Sequence, residues 1–342
     1  MNSTSDQMKV PDLNHLMKGS AVRKIKYLLI ASLISTAFLF LSVQCYAGEN
    51  SKKLSSKEIR DNIFDSAFIA EKQNILVGDR GQIFLSNDDS QTWMKIPSGT
   101  SERLFSVSFP DSKNGWISSR SGIILHSKDG GKTWIKQKSG TDKELFSIHF
   151  SDPLHGCAVG DWGAIVVTDD GGENWKDVHL SEDVVLYAVR MTKKGGIIVG
   201  EYGRIFRSGD QGHTWVSGTP VAEQSLFCLS EFDGKFVAGG LDGIIVYSND
   251  DGKTWKRSES AQKQSIYGID LREGEGYAVG DRGTILMTND AGKTWKVLSV
   301  PLQIQLFWLC NVKTSPAAGS IKGFVSGAHG LIFQLKGQEI SW

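Results

Sequence analysis

Gly283-Thr284-Ile285-Leu286-Met287-Thr288-Asn289-Asp290-Ala291-Gly292-Lys293-Thr294-Trp295 sets an apolar alternating run in front of a polar turn of the form Ser/Thr-x-Asp-x-Gly-x-Thr-Trp. Alternation of this kind marks a half-buried strand, and Asp and Gly are turn formers, so the segment reads as a strand running into a hairpin. The same text recurs along the chain. Trp93, Trp134, Trp175, Trp215, Trp255 and Trp295 are separated by 41, 41, 40, 40 and 40 residues. Each has a glycine twelve positions upstream, at Gly81, Gly122, Gly163, Gly203, Gly243 and Gly283. A fixed period of this size signals an array of supersecondary units. A seventh copy stands at the C-terminus, where Gly330-Leu331-Ile332-Phe333 repeats the glycine and strand and Trp342 follows Gly330 by twelve residues, with Gly337 where the other copies have Asp.

Each unit holds four short runs rich in β-branched and aromatic residues, separated by Gly, Asp, Asn and Ser. In the second unit these are 104–109, 115–118, 123–127 and 133–136. No helical period is visible after residue 60, which argues against a helical solenoid. The expected fold is all-β: a seven-bladed propeller of four-stranded antiparallel blades over residues 61–342, with closure into a disc.

The repeated turn residues have a folding role. The carboxylates of Asp88, Asp129, Asp170, Asp210, Asp250 and Asp290 are placed to accept hydrogen bonds from the hairpin N–H groups, in place of water. The tryptophans are expected in the seams between blades, where each can bury roughly 200 Å². Calcium loops need several oxygen ligands in one segment, whereas Lys, Gly, Asn or Gln occupy the intervening positions here. Neither a metal nor a cofactor is expected.

These residues resemble the Asp-box, or bacterial neuraminidase repeat. The form Val-Gly-Asp-Arg-Gly-x-Ile-x-x-Ser/Thr-Asn-Asp, at Val77 to Asp88 and Val279 to Asp290, resembles the photosystem II stability/assembly factor family over residues of about 60 to 342. That resemblance implies a non-enzymatic propeller that binds a membrane-protein intermediate during assembly, at or near the membrane, with basic residues of one face in partner contact. Relatives also occur in bacteria without photosynthesis, so the repeat does not name the partner.

Lys plus Arg and Asp plus Glu are balanced at 38 each. A neutral total argues against nucleic acid as a partner, since such proteins carry a basic excess. The first 47 residues hold Lys9, Lys18, Arg23, Lys24 and Lys26 against Asp6 and Asp12, leaving 33 basic and 36 acidic residues in the remainder. Arg23 to Lys26, the apolar stretch Tyr27 to Val43, and Cys45-Tyr46-Ala47 together read as a secretory signal cleaved after Ala47, the alternative being an uncleaved anchor. Either way the bulk of the chain is expected outside the inner membrane, periplasmic or membrane-associated. Residues 48–60 are polar and lysine-rich, suited to a flexible tether or a closing strand. Cys157, Cys228 and Cys310 lie far apart in apolar stretches and read as buried thiols.

In a propeller blade the turn between the second and third strands shares a face with the inter-blade links, and the third-to-fourth turn lies opposite. The Asp boxes are therefore expected on one face and the glycine turns on the other. Before the seven glycines stand Arg80, Ser121, Trp162, Tyr202, Asp242, Arg282 and His329. One position earlier stand Asp79, Arg120, Asp161, Glu201, Leu241, Asp281 and Ala328. Variation inside a uniform scaffold suits a specific surface, and Arg, Trp and Tyr dominate interface energetics. The expected partner-binding face carries Arg80, Arg120, Trp162, Tyr202, Arg282 and His329, with Arg80, Arg282 and His329 in one sector. The partner is expected to be a membrane protein or another cell-envelope protein, bound by a monomeric propeller. In the alternative, the arginines pair with Asp79, Asp161, Glu201 and Asp281 on a solvated rim.

Asp boxes also occur in sialidases and polysaccharide hydrolases. Sialidase chemistry needs an arginine triad, a Tyr activated by Glu and an acid, and the Arg-Ile-Pro segment of that family is missing from the sequence. No Gly-x-Ser-x-Gly or His-Glu-x-x-His motif is present, and His149, His155, His179, His213 and His329 lack metal-ligand spacing. A binding role is therefore preferred to catalysis, with a glycosidase, or a receptor-like module that binds peptides or glycans, as the alternatives.

Overall fold

A computed structural model describes residues 52–178, 180, 182–260, 262–314 and 322–341. The signal reading of residues 1–47, together with His179 and Trp342, lies outside the described residues. Lys53 onward forms one compact unit. It contains seven four-stranded sheets, each antiparallel and built from strands in sequence order. Blade one comprises Ile63–Ala70, Gln73–Gly78, Ile83–Ser86 and Met94–Ile96, and blade two Leu104–Ser108, Gly115–Ser119, Ile123–Ser127 and Ile135–Lys138. In blade two the fourth strand begins later than the sequence reading placed it, because Thr133 is taken up in the Asp-box turn.

The Asp box behaves as a side-chain clamp. Asp250 Oδ1 accepts the Thr254 N–H at 2.9 Å and the Ser248 hydroxyl at 2.7 Å, while Oδ2 accepts the Thr254 hydroxyl at 2.6 Å. Ser248 Oγ in turn accepts the Gly252 N–H at 3.1 Å. The same pattern holds at Asp88, Asp129, Asp170, Asp210 and Asp290, with Asn174 in place of Thr at Asp170. Blade seven dispenses with the box, and its last two strands, Ile332–Lys336 and Glu339–Ser341, are joined by the tight hairpin of Gly337 and Gln338.

Each box tryptophan packs in a seam. Trp134 joins a cluster with Ile69, Ile75 and Ile83 of blade one, and Trp255 joins one with Ile197 and Val199 of blade four. Trp93 and Trp295 are buried, whereas Trp134, Trp175, Trp215 and Trp255 are half-buried. Polar groups fill the inner part of the seams. The edge N–H groups of one blade's innermost strand are accepted by side chains of the blade before it: Val107 N–H by Asp65 at 2.9 Å, Phe150 N–H by Ser108 at 3.0 Å, and Leu271 N–H by Ser230 at 2.9 Å. Inner edges that would otherwise stay unpaired are thereby satisfied. Cys157 and Cys228 are buried, but Cys310 is half-exposed, because it stands at the register shift of the innermost strand of blade seven.

The turn glycines lock each blade to the next link. Gly81 has φ +68°, and a Cβ there would meet Thr100 O at 2.0 Å. At Gly330 of blade seven, φ is +72° and the obstructing atom is Ile59 O at 2.1 Å. Ile59 thus does for blade seven what each inter-blade link does elsewhere. The segment before blade one also bridges Leu54 to Trp93, with N–H to carbonyl distances of 2.8 Å in both directions. Blades one and seven meet through Asn311 Nδ2 donating to Ser66 Oγ at 2.7 Å and through Trp93 against Phe324 at 5.9 Å. The ring is closed.

Gly330→Ala is expected to cost about 2 kcal/mol or more, since the left-handed backbone and the Ile59 carbonyl both oppose a methyl group. Urea unfolding measures this, and an unchanged midpoint would dissociate the N-terminal segment from ring closure. The Thr214 and Thr254 hydroxyls hold the Asp210 and Asp250 carboxyls down at about 2. Because the folded values lie below the unfolded one, this stabilisation is complete above about pH 4 and is lost as pH falls toward 2. Thermal unfolding should show Tm dropping across that window, with a smaller drop for Asp250→Asn; equal drops would remove the clamp as the cause.

Candidate partner-binding face

All seven turns between second and third strands have one geometry. Asp79 O accepts the Gln82 N–H at 3.1 Å, and Asp281 O accepts the Thr284 N–H at 3.0 Å. The two central residues are both left-handed, as in a type I′ turn, which suits the twist of the flanking strands. The second is always glycine. The first is never glycine: Arg80, Ser121, Trp162, Tyr202, Asp242, Arg282 and His329 have φ between 50° and 59°. Left-handed backbone costs a side-chain-bearing residue roughly 1–2 kcal/mol. At Asp161 and Asp281 the carboxylate offsets part of this by accepting the next N–H, at 2.9 and 3.0 Å.

These tips point outward. Trp162 and Tyr202 are 57% and 69% exposed, and the other five tip residues are exposed as well. The turns share their face with the links, as the contacts of Gly81 with Thr100 and of Gly122 with Thr141 require. The Asp boxes pair instead with the turns between first and second strands, through Gly130 N–H to Lys113 O at 2.9 Å and Asp251 N–H to Gly234 O at 3.1 Å.

Arg80, Arg120 and His329 come together around a cleft of about 440 Å³ spanning blades seven, one and two. Arg60 and Arg103 join them there, beside Asp61, Asp79 and Glu102. Arg282 stands on the blade-six turn and does not line this cleft, nor do Trp162 and Tyr202. The arginine pairings differ from the rim pattern considered above. Arg80 pairs with Asp61, Arg103 with Asp79 at 2.9 Å, and Arg120 with Glu144 at 2.7 Å. Arg282 makes no ion pair among the described residues. In each pair the guanidinium is exposed and the carboxylate is half-buried, so the arginines keep donors facing solvent. Trp162 has Lys143 Nζ 5.8 Å from its ring centroid.

A second feature of this face was missed by the sequence reading. Phe64, Phe105, Phe146, Tyr187, Phe227 and Tyr267 follow one another at 41, 41, 41, 40 and 40 residues. Each sits on the innermost strand of its blade, at a register shift beside the link face. Such bulges re-aim a side chain. Successive rings touch from blade to blade at 6.0, 5.3, 6.2, 5.1 and 5.7 Å between centroids, and Trp308 lies 6.4 Å from Phe64. Cys310 occupies the equivalent place in blade seven. All six aromatics are half-exposed. They form a collar around the axis, next to the I′ turns: burial, helped by Glu201, Asp161 and Tyr202 close by, pushes the Tyr187 hydroxyl above its ordinary pKa. The signal was in the sequence, at the period of the tryptophans.

Among the described residues no three His, Cys, Asp or Glu side chains gather as metal ligands. The family described as photosynthesis system II assembly factor YCF48 matches residues 48–140 and 135–219, and the BNR/Asp-box repeat matches 246–257. No curated protein matches the chain in sequence. Among solved structures, YCF48 bound to a D1 peptide is similar with TM-score 0.66 and 19% identity, over 84% of this chain and 95% of that one. YCF48 from Cyanidioschyzon merolae gives 0.65 and 19%, over 83% and 98%. The GH74 xyloglucanase from Xanthomonas campestris gives 0.65 and 13%, over 83% of this chain but 53% of the enzyme. At these identities the structural likeness is one of fold, shared by binding proteins and an enzyme alike. The family match is different in kind, because it spans half of the sequence and takes in blades one to four: the chain belongs to the photosynthesis system II assembly factor YCF48 family.

Proposed function

We propose that the chain is an exported, non-catalytic scaffold that binds a segment of a membrane protein, or of another cell-envelope protein, during assembly, through the face that carries the I′ turns. The observation that carries this reading is the set of side-chain-bearing residues at the left-handed tips. A turn built only for stability would use Asn or Gly there. Here the position holds Arg80, Trp162, Tyr202, Arg282 and His329, all exposed, and it varies in charge and shape around the ring. Backbone strain retained at exposed positions favours a functional use. Arg and aromatic side chains on a rigid disc are what a protein partner requires. The related YCF48 with its D1 peptide supports a polypeptide as the ligand class. Export is supported by the basic, apolar and small-residue succession from Arg23 to Ala47.

The test is capture of membrane proteins from detergent-solubilised membranes, comparing the wild-type chain with an Arg80→Glu/Arg120→Glu variant of unchanged Tm. A defined membrane protein should be retained by the wild type and reduced about tenfold by the variant. Equal retention would remove the turn face as the site. Release of sugar from sialosides or β-glucans by the purified chain would favour a glycosidase instead.

A further inference from the structure

The axial opening inside the aromatic collar has a second, charged level. Three residues along the innermost strands from Tyr187 and Cys310 lie Arg190 and Lys313, about 10 Å deeper at strand rise. Blade three contributes His149 at the same level, and blade six Asp270. Burial, together with the charges of Arg190 and Lys313, pushes the pKa of His149 well below the ordinary value. The three acidic groups of the inner strands are already engaged, Glu231 by the Gly234 N–H at 2.9 Å. Asp65 accepts the Ser66 and Val107 N–H groups and the Ser106 hydroxyl at 2.8 to 2.9 Å, and Asp270 accepts the Thr314 N–H at 2.7 Å. Lys313 Nζ is 3.8 Å from Asp65. Arg190 has no carboxylate partner among the described residues, and its guanidinium donates only to Val189 O, at 2.8 Å. At the positions following the collar, blades four to six carry the small residues Ala188, Cys228 and Gly268, buried against the next blade.

An apolar ring above an uncommitted guanidinium defines its own ligand. The collar is about 13 Å between opposite centroids at the spacings given above, and the rings themselves take up part of that span, which leaves room for at most one extended chain. At about 3.3 Å per residue, three residues span the distance from collar to Arg190. We propose that the axial opening receives the free C-terminus of a polypeptide whose last residues are apolar, its side chains gripped by the collar and its terminal carboxylate paired with Arg190 and Lys313. Capture of a terminal carboxylate is a recurring mode of peptide recognition, and the guanidinium fork suits it. The proposal rests on the reading of this face as the partner site, and it names the part of the partner that enters.

The test uses the purified chain and two fluorescein-labelled peptides of glycine and serine ending in three leucines, one with a free carboxylate and one amidated. Fluorescence anisotropy should show the free acid binding at least about tenfold more tightly than the amide. Arg190→Met should abolish that preference, while Phe146→Ser should weaken both peptides. Equal binding of the two peptides to the wild type, or no saturable binding below about 1 mM, overturns the proposal without using any variant. A preference that survives Arg190→Met in a protein of unchanged Tm overturns it too. The Arg80→Glu/Arg120→Glu variant, assayed for membrane-protein capture alone, separates the axial site from the face reading. A peptide failure accompanied by continued loss of membrane-protein capture in that variant would therefore sink the axial site and leave the face reading standing.

Discussion

The carbonyl of each link sits where the turn glycine of the preceding blade would carry its Cβ, and the rest of the molecule depends on this contact. At Gly81, Gly122 and Gly203 the distance is 2.0 Å, so only a residue without a side chain lets a blade approach the next. The approach sets the seam. It brings the half-buried tryptophans, the aliphatic clusters and the inner-strand hydrogen bonds into register, and it repeats at Ile59 and Gly330 to close the circle. Such closure distributes stability over like interfaces, none of which is large alone.

A closed disc has two unlike faces. On one, six Asp boxes clamp their hairpins with the same few hydrogen bonds, with Asn174 replacing Thr in one box and no box in blade seven. On the other, the same left-handed position holds Arg, Ser, Trp, Tyr, Asp, Arg and His in turn. The scaffold fixes the backbone of those tips and leaves their chemistry free to vary. Behind them the links add Arg60 and Arg103 to the cleft, and the innermost strands add the aromatic collar. Rigid positioning of varied side chains is how a propeller acquires specificity without altering its fold.

Much of this was legible in the sequence because the box is a local device. Asp, Gly and Thr act within a few residues of one another, so their spacing shows the hairpin, and the period of Trp93 to Trp295 shows the array. Three features were harder to read. Left-handed Trp162 and Tyr202 run against residue propensity, since the fold imposes that conformation on whatever residue precedes the glycine. Closure by Leu54 and Ile59 is hidden in a polar stretch, because two apolar residues suffice to fill the last seam. Gathering of Arg60 and Arg103 with Arg80 and Arg120 depends on the paths of the links, where no period operates. The collar was readable and was passed over, because Phe64 to Tyr267 lie within runs that also serve as core strands.

Hydrogen exchange on the chain alone and with its captured partner bound tests the central claim most directly, since the two faces are separate in sequence within every blade. Binding by the turn face should slow exchange at residues 79–82, 120–123, 161–164 and 201–204 and at the inner-strand positions beside Phe64 and Phe105, leaving the Asp-box hairpins unchanged. Protection confined to the hairpins around Asp129, Asp170, Asp210 and Asp250 would contradict it.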